Sequence, residues 1–392
     1  MSNPNAAAPI EVTVVIPCLD EEKTVGRCVA AAIAAMGNAN LSGEVIVADN
    51  GSRDASRERA AIAGARVVAV VPRGYGSALM AGIAAAHGRF VIMGDADASY
   101  DFGEVPRFVA KLREGYELVQ GCRLPRGGGT IAPGAMPWSH RWIGNPALSF
   151  LARIFFCTGL HDIYCGMRGF TRGFFGRMEQ RCTGMEFATE MIIKAALHRE
   201  RVTELPITLH RDGREGTRSH LRTFRDGWRT LRLFLLYSPR WLHLFPSVAL
   251  LVLGVVSGVL AWFGARIGPA TLGPHTMLVA VVLILLGYQG LMLALFARTF
   301  AWRENLAPVS PFLERFYRVF TLERALLLSL AATVAGAALI GSVFWRWRGV
   351  HFGALPYDIT LRSVVPGVLL IALAAQTFFG SFVISLASLE RK

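Results

Sequence analysis

The alternation of hydrophobic and polar positions divides the chain into two parts. Up to about residue 240, short β-branched runs alternate with stretches of helical period, and each apolar run ends in polar or glycine-rich residues. This alternation predicts βαβ units, and so an α/β fold with a mostly parallel sheet and helices on both faces. Four apolar stretches follow, each near the ~20 residues needed to cross a bilayer core. They lie at residues 242–263, 277–297, 325–344 and 364–389.

The sharpest strand end follows the apolar run from Phe90 to Met93, where Asp95 and Asp97 stand two residues apart. Alternate side chains of an extended chain share a face, so both carboxylates can address one cation or one diphosphate. Oxygen ligands of this kind suit Mg²⁺ or Mn²⁺. Taken alone, the same pattern is also compatible with an acidic turn after a core strand.

A glycine pair precedes this strand, at the expected start of a helix from about Ala78. Gly74 and Gly76 would let the backbone approach a diphosphate at the helix N-terminus. Arg73 would add charge-assisted hydrogen bonds to that diphosphate. The glycine pair by itself is equally compatible with ordinary turn chemistry.

Composition narrows the class of partner. The formal net charge is +13 over 392 residues, a balance that fits nucleic acid, anionic lipid or phosphorylated substrates. Four predicted spans favour membrane lipid and phosphates, and we expect no nucleic-acid partner. The six cysteines form no C-x-x-C pair, which predicts reduced thiols and no zinc site.

Loop charges predict the orientation of the spans. Five arginines lie between the second and third spans, whereas the first opposite loop, 264–276, has only Arg266. We therefore expect an integral protein of the inner or cell membrane with its N-terminal domain in the cytoplasm. Arg346, Arg348 and Arg362 in the last loop argue the other way. Whether the spans anchor the protein, form a homo-oligomer or shield a lipid is left open.

A basic amphipathic segment precedes the first span. Its arginines follow a four–three–four–three spacing, which places them on one helical stripe beside an apolar stripe. Such a helix lies against an anionic membrane surface. We expect three parts: a catalytic domain over 1–210, a juxtamembrane segment over 211–241 and a membrane domain over 242–392. The striped arginines are Arg218, Arg222, Arg225, Arg229 and Arg232.

Four motifs in order resemble the nucleotide-binding half of family-2 glycosyltransferases of the GT-A fold. They are V-V-I-P-C-L-D-E-E, A-D-N-G-S-R-D, R-G-Y-G-S-A-L-M-A-G and D-A-D-A-S-Y-D, and they cover about residues 11–125. The resemblance implies that Asp95 and Asp97 hold the metal on the diphosphate of a sugar nucleotide. Asn50 departs from the family's usual Asp, which puts base recognition in doubt. The implied nucleoside pocket consists of Pro17, Asp20, Glu22, Asp49 and Ser52.

Two later motifs resemble those of polyprenyl-phosphate sugar synthases. Gly121-Cys122-Arg123 is similar to their G-S-R motif, in which the arginine contacts phosphate. The segment from Asp162 to Arg168 is similar to their D-x-x-x-G-x-R segment, which implies that Asp162 lies near the attacking oxygen. Glu186 begins a helix from which it can reach the donor sugar, or it is simply a carboxylate favoured by the helix dipole.

The start of the basic segment matches the R-x-x-G-x-S-K region, which binds the lipid phosphate in those synthases. His220 stands where the family has Lys, which would make phosphate binding more sensitive to pH. The implied acceptor-binding residues are Arg123, Arg214, Arg218, Ser219, His220 and Arg222.

Together the motifs imply a metal-dependent, inverting glycosyltransferase with Asp97, Asp162 and Arg123 as catalytic residues. It would transfer one sugar from a UDP- or GDP-hexose to a polyprenyl phosphate, as dolichyl- or undecaprenyl-phosphate glucose and mannose synthases do. A processive polysaccharide synthase is the main alternative, although Arg240-Trp241 lacks the preceding glutamine motif and Glu190 is followed by Met rather than Asp. A non-catalytic scaffold or flippase is a third, which the intact carboxylate pair disfavours.

Overall fold

The computed structural model of this chain describes residues 9–214, 223–304, 306–308 and 311–388. The chain divides into two compact units, Met1–Phe234 and Leu235–Lys392.

The N-terminal unit alternates strands and helices as the sequence predicts. Most of its strands belong to one sheet, and two short strands, β6 (Thr130–Ile131) and β9 (Thr208–Leu209), pair separately. In chain order the elements are β1 (Val12–Cys18), α1 (Val25–Asn38), β2 (Gly43–Asp49), α2 (Ser56–Ile62), β3 (Arg66–Ala69), α3 (Tyr75–Ala84), β4 (Phe90–Met93), α4 (Val105–Arg113), β5 (Leu118–Cys122), β6 (Thr130–Ile131), α5 (Asn145–Phe156), β7 (Arg168–Thr171), α6 (Arg172–Met178), α7 (Glu186–Leu197), β8 (Val202–Pro206), β9 (Thr208–Leu209) and α8 (Thr223–Tyr237), which crosses into the second unit.

The main sheet has the strand order β3-β2-β1-β4-β7-β5-β8. All neighbouring pairs are parallel except those that β7 makes with β4 and β5. Because β7 runs against its neighbours, its first residue lies at the edge where the other strands end. The segment before Arg168 therefore reaches the same edge as Asp49 and Asp95.

Helices cover both faces of this sheet, which confirms the predicted fold class. Val14 packs with Val29 of α1 and Phe108 of α4 in the main core. Val15, on the opposite face, lies beside Gly82 of α3, where an added Cβ would stand 2.5 Å from the valine Cγ1. Successive residues of a strand point to opposite faces, so the continuous apolar run of β1 is what a strand buried on both sides requires.

Some element boundaries differ from the prediction. β1 continues through Pro17 to Cys18, because β4 stops opposite Val15 and requires no N–H donor from Pro17. Helix α3 begins at Tyr75 rather than near Ala78. Thr24 occupies the N-cap position of α1, but its hydroxyl bonds the carboxylate of Glu21 at 3.1 Å instead of a helix amide.

The C-terminal unit contains four apolar helices long enough to span a membrane, in agreement with the four predicted spans. Helix α10 packs on α9 and α13, and α13 packs on α12. Small residues allow these close approaches, as at Gly336, where an added Cβ would stand 2.6 Å from the carbonyl oxygen of Gly367. The elements are α9 (Phe245–Trp262), β10 (Arg266–Ile267), β11 (Ala270–Thr271), α10 (Pro274–Arg303), α11 (Pro311–Val319), α12 (Leu322–Gly349) and α13 (Tyr357–Ser388).

Candidate active site

The loops after β1 and β2 are joined by reciprocal hydrogen bonds. The Asp20 amide donates to Oγ of Ser52 at 2.9 Å, and Oδ1 of Asp20 accepts from the Arg53 amide at 2.8 Å. The Glu22 carboxylate accepts from the Ala55 amide at 3.1 Å. The structure thus brings the predicted nucleoside-pocket residues together at the carboxyl ends of adjacent parallel strands, where ligands of open α/β sheets bind.

Asp49 at the end of β2 is fully buried. Burial alone would raise its pKa, but hydrogen bonds from Ser52, Arg57 and the Gly51 amide outweigh this effect and hold the pKa below its usual value. Nε of Arg57 lies 2.5 Å from Oδ2 of Asp49. Asp49 is therefore an ionised carboxylate that shapes its own loop.

Asn50 connects this loop with the glycine pair. Its Nδ2 donates to the carbonyl of Pro72 at 2.8 Å, and its Oδ1 accepts from the Gly74 amide at 2.7 Å. An aspartate could accept the second bond but could not donate the first. The departure from the family's usual Asp is thus explained here by backbone positioning, whatever its effect on base recognition.

The glycine pair has a structural reason that the sequence did not indicate. A Cβ on Gly74 would collide with the carbonyl oxygen of Thr183, and one on Gly76 with that of Cys182. The Ser77 amide donates to the same Thr183 carbonyl at 3.1 Å. Protein backbone therefore occupies part of the space predicted for a diphosphate, and direct contact by both glycines stays a prediction. Arg73 is exposed beside them.

A buried ion pair on α7 fixes the segment that packs on these glycines. Nζ of Lys194 lies 2.8 Å from Oε1 of Glu190, and both side chains are almost fully buried. Glu190 accepts from the Cys182 amide at 2.8 Å, while Lys194 donates to the carbonyls of Met178 and Glu179. The pair therefore anchors both ends of the loop that covers Gly74 and Gly76.

The carboxylate pair follows β4 as predicted. Burial, and then the negative charge of Asp97, raise the pKa of Asp95 to about 6. The Tyr75 hydroxyl donates to Oδ1 of Asp95 at 2.9 Å, and the Ser99 amide donates to Oδ1 of Asp97 at 3.0 Å. Ala98 next to them has φ of 60°, a left-handed conformation that non-glycine residues adopt at some energetic cost.

These carboxylates fit a divalent cation. Their oxygen donors are those that Mg²⁺ and Mn²⁺ prefer, and a cation would relieve the repulsion that raises the pKa of Asp95. Within the described ranges, no group of three or more His, Cys, Asp or Glu side chains forms a metal site. A cation held here would therefore take its remaining ligands from substrate phosphates and water, as Mg²⁺ commonly does.

Arg123 and Asp162 form a bidentate ion pair. Nε and Nη2 of Arg123 lie 2.7 and 2.9 Å from the two oxygens of Asp162. Asp162 is fully buried, and Arg123 is 7% exposed. The Arg123 side chain is therefore committed to Asp162 rather than presented to a phosphate. Asp162 likewise has no exposed oxygen to offer an attacking group.

The same pair is linked to the carboxylate pair of Asp95 and Asp97 through Tyr100. Nη1 of Arg123 lies 3.4 Å from the Tyr100 hydroxyl, which also accepts from the Gly166 amide at 2.8 Å. Gly166 lies against Asp95, where an added Cβ would stand 2.5 Å from Oδ2. The D-x-x-x-G-x-R segment thus packs against the carboxylate pair through Gly166.

Arg214 reaches the carboxylate pair from the start of the basic segment. The Gly213 amide donates to the carbonyl of Asp97 at 2.8 Å. Arg214 forms an ion pair with the buried Glu21, and its Nη2 lies 3.9 Å from Oδ2 of Asp97. The other predicted acceptor residues, Arg218, Ser219, His220 and Arg222, lie outside the described residues.

Glu186 at the start of α7 has a cationic neighbour. Its Oε1 lies 3.5 Å from Nε of Arg229 on α8, one of the striped arginines. This contact joins the predicted donor side of the site to the juxtamembrane helix. It leaves open whether Glu186 also contacts a sugar.

Sequence reasoning missed three residues of this site. They are Tyr75 between two glycines, Tyr100 after the carboxylate pair, and Glu21 among three adjacent acids. Each is buried or half-buried and holds a charged group of the site. For Tyr75, the available signal was its position inside a glycine-rich turn, because a large polar aromatic side chain among glycines needs a packing or hydrogen-bond partner of its own.

Two family models match the chain. The model described as glycosyl transferase family 2 covers residues 13–178, and that of the glycosyltransferase family 2 C-terminal transmembrane region covers residues 295–388. The low-salt glycan biosynthesis hexosyltransferase Agl6 of Haloferax volcanii is 36% identical over 374 residues, which is 95% of this chain and 88% of that protein. The chain belongs to glycosyltransferase family 2.

Other similar proteins match a part of the chain. A dolichyl-phosphate hexose transferase of Haloferax volcanii is 33% identical to this family-2 glycosyltransferase over 165 residues, 42% of this chain and 68% of that protein. Glucosyl-3-phosphoglycerate synthase from Mycobacterium tuberculosis, solved with Mn²⁺ and UDP-glucose, is 22% identical, with a TM-score of 0.47 over 59% of this chain and 80% of that one. With its transmembrane region and four apolar helices, this glycosyltransferase is an integral membrane protein.

Proposed function

We propose that this enzyme transfers a single hexose, with inversion, from a UDP- or GDP-sugar to a polyprenyl phosphate. The supporting observation is the position of Arg214, the first residue of the predicted phosphate-binding segment, 3.9 Å from the metal-site carboxylate of Asp97. A basic segment that starts at the donor diphosphate and continues into the membrane unit suits an acceptor that is both a phosphate and a lipid. The name of the dolichyl-phosphate hexose transferase agrees with this class of acceptor.

On the donor side, the joined loops of Asp20, Glu22, Asp49 and Ser52 would hold the nucleoside, with Pro17 at their base. Asp95 and Asp97 would hold Mg²⁺ or Mn²⁺ on the diphosphate. Bound there, the cation would neutralise negative charge on the leaving diphosphate. Arg73 is free to turn toward the same group, while Gly74 and Gly76 fix the backbone beside it.

On the acceptor side, Arg214 and the following basic residues would hold a phosphate monoester. Its second pKa of about 6 means that the nucleophile is already ionised near neutral pH. The acceptor therefore needs positioning more than deprotonation, so a dedicated general base is not required. The buried Arg123–Asp162 pair would act as a positioning element, because it holds Tyr100 and Gly166 against Asp95.

The same proposal sets the enzyme's topology. The catalytic part (1–210), the juxtamembrane segment (211–241) and the membrane part (242–392) would serve donor binding, acceptor capture and anchoring. The catalytic part would face the cytoplasm, where nucleotide sugars are made. The arginines between the second and third spans support this side.

The test uses the purified full-length protein with Mn²⁺ or Mg²⁺ and a short polyprenyl phosphate. UDP- and GDP-sugars are offered one at a time, and lipid products are identified by mass. Addition of one sugar to the lipid phosphate, with no second addition, is the expected result. Polymer would favour a processive synthase instead. Nucleotide binding without transfer to any lipid phosphate would contradict the proposed acceptor.

A further inference from the structure

The two loops at one end of the membrane unit lie close together. We name this the distal end; it consists of residues 263–273 and 350–356 with the adjoining helix ends. An apolar cluster there joins Ala261 of α9, Met277 of α10 and Val365 of α13, and Leu272 and Leu361 pack against it. The helix ends next to both loops therefore pack in the same apolar cluster.

An apolar groove of about 270 Å³ opens beside this cluster, between α9, α10 and α13. Gly258 and Ala280 bring α9 and α10 close together at its floor, since an added Cβ on Gly258 would stand only 3.3 Å from the Cβ of Ala280. Trp262 and Pro366 line it as well. A groove with this lining, at bilayer depth, suits hydrocarbon and offers nothing to a polar sugar.

Arg362 lies at the rim of this groove. It is half-buried, follows Leu361 of the apolar cluster, and precedes the groove residue Pro366 by one helical turn. Its Nη2 would stand 3.8 Å from a Cβ added to Gly264, at the end of α9. The guanidinium therefore lies between the start of α13 and the residues that follow α9.

Charge at the distal end is unbalanced. The distal end has one carboxylate, Asp358, and four arginines: Arg266, Arg346, Arg348 and Arg362. Asp358 is four residues before Arg362, yet among the described residues no ion pair joins the two side chains. A half-buried cation beside an apolar groove, without a protein anion, is complementary to a ligand with one anionic head and a hydrocarbon chain.

We propose that the distal end binds the phosphate group of a polyprenyl phosphate lipid at Arg362, with the first part of its chain in the groove. This second lipid-phosphate site lies at the opposite end of the spans from the Arg240–Leu244 turn that leads into α9. The polyprenyl identity of the chain rests on the proposed function. The placement of the phosphate group at Arg362 and of the hydrocarbon chain in the groove is inferred from the membrane unit alone. The site would also account for arginines in a loop that otherwise contradicts the charge rule for orientation.

The experiment uses full-length protein in phosphatidylcholine nanodiscs, with a polyprenyl phosphate that carries a photoreactive diazirine in its chain and with no sugar donor. Labelled peptides are located by mass spectrometry. We expect labelling of peptides from residues 255–284 and 361–369, with competition by unlabelled polyprenyl phosphate but not by polyprenol. Arg362→Gln should reduce distal labelling about tenfold, the effect of losing one charge-assisted hydrogen bond.

Arg348→Gln is the matched control, because it removes a charge from the same end but from a side chain that lies over Trp345, 5.3 Å from the ring centroid. It should leave distal labelling unchanged, and thermal melting should show both variants folded. Equal losses in the two variants would mean general surface attraction and would overturn the site, as would equal competition by phosphatidylglycerol. Sugar transfer is measured on the same preparations. Distal labelling that is absent from an active enzyme refutes this site alone, whereas labelling without transfer counts against the proposed function.

Discussion

The phenolic oxygen of Tyr75 donates a hydrogen bond to Oδ1 of Asp95, at 2.9 Å. Tyr75 stands between Gly74 and Gly76, so this bond connects the glycine-rich turn to the carboxylate pair of Asp95 and Asp97. It also orients Oδ1 of Asp95, while Gly166 lies against Oδ2 of the same carboxylate.

Replacement of Tyr75 by Phe should weaken metal binding. Without the hydroxyl, Asp95 loses a donor that lowers its pKa, and the carboxylate competes less well for a cation. We expect the Mn²⁺ concentration for half-maximal transfer to rise about tenfold, since hydrogen bonds to charged groups contribute about 1.5–3 kcal/mol. The measurement is a Mn²⁺ titration of activity together with direct Mn²⁺ binding. Tyr116→Phe, at a surface tyrosine stacked with Arg201, is the control; equal metal dependence of the two variants would contradict the role of Tyr75.

Asp97→Asn should abolish transfer while leaving the fold intact. The change removes one of two carboxylates proposed as metal ligands, and we expect a loss of about a thousandfold or more, comparable to removal of a main electrostatic stabiliser of a transition state. Asp101→Asn keeps the acceptor that caps the following turn at Gly103, so it serves as a control from the same motif. Product formation is followed by mass, and a fully active Asp97→Asn enzyme would disprove the metal assignment.

Arg214→Gln should act on the acceptor more than on the donor. The variant removes the cation next to Asp97 and leaves Glu21 buried without its partner. We expect the KM for polyprenyl phosphate to rise about tenfold, the value of one charge-assisted contact. The KM for the sugar nucleotide should change less. The control is Arg211→Gln, three residues earlier, where the arginine donates a hydrogen bond to the Pro133 carbonyl; this variant should leave both KM values unchanged. A larger effect of Arg214→Gln on the KM for the sugar nucleotide would show that Arg214 contacts the donor instead.

Lys194→Met should destabilise the N-terminal unit. It removes the cation beside the buried Glu190 carboxylate, which keeps the hydrogen bonds from the Arg181 and Cys182 amides. Breaking a buried ion pair in this way costs about 3–5 kcal/mol. Thermal melting of the purified protein should show a clear decrease that the double variant Glu190→Gln, Lys194→Met partly restores. No restoration in the double variant would show that the lysine acts by its packing alone.

The same ion pair predicts acid sensitivity. Burial would raise the pKa of Glu190, but hydrogen bonds from Lys194 and the Cys182 amide outweigh it and lower the pKa below 4.5. A lowered pKa stabilises the folded state above the unfolded value, and that contribution is lost as pH falls through the folded value. The difference in melting temperature between wild type and Glu190→Gln should therefore be constant near pH 7 and shrink in acid. A difference that is independent of pH would contradict an ionised Glu190.

Local pattern was sufficient for much of the architecture. The carboxylate pair that follows β4 and the four spans depend on residues that are adjacent in sequence, so alternation and length predicted them. The reasons for Gly74, Gly76 and Asn50 were not predictable in this way. They depend on contact with backbone that lies up to 109 positions away, at Thr183, and no local pattern records that neighbour.

The roles expected for Arg123 and Asp162 illustrate the same limit. Each motif indicated a polar group at the site, but neither showed that the two side chains bind each other. Their 39-residue separation hides the pairing, which depends on the antiparallel placement of β7 next to β5. Motif resemblance thus located the residues and left their partners to the three-dimensional structure.

The packing of the glycine-rich turn beneath the loop at residues 179–184 has a practical consequence for chimeric enzymes. A graft of residues 73–77 from a relative would bring a surface shaped for that relative's own covering loop. A mismatch would displace Tyr75, and with it Asp95, even if every catalytic residue were retained. The glycine-rich turn should therefore be exchanged together with residues 179–184 and with the Glu190–Lys194 pair that anchors this loop.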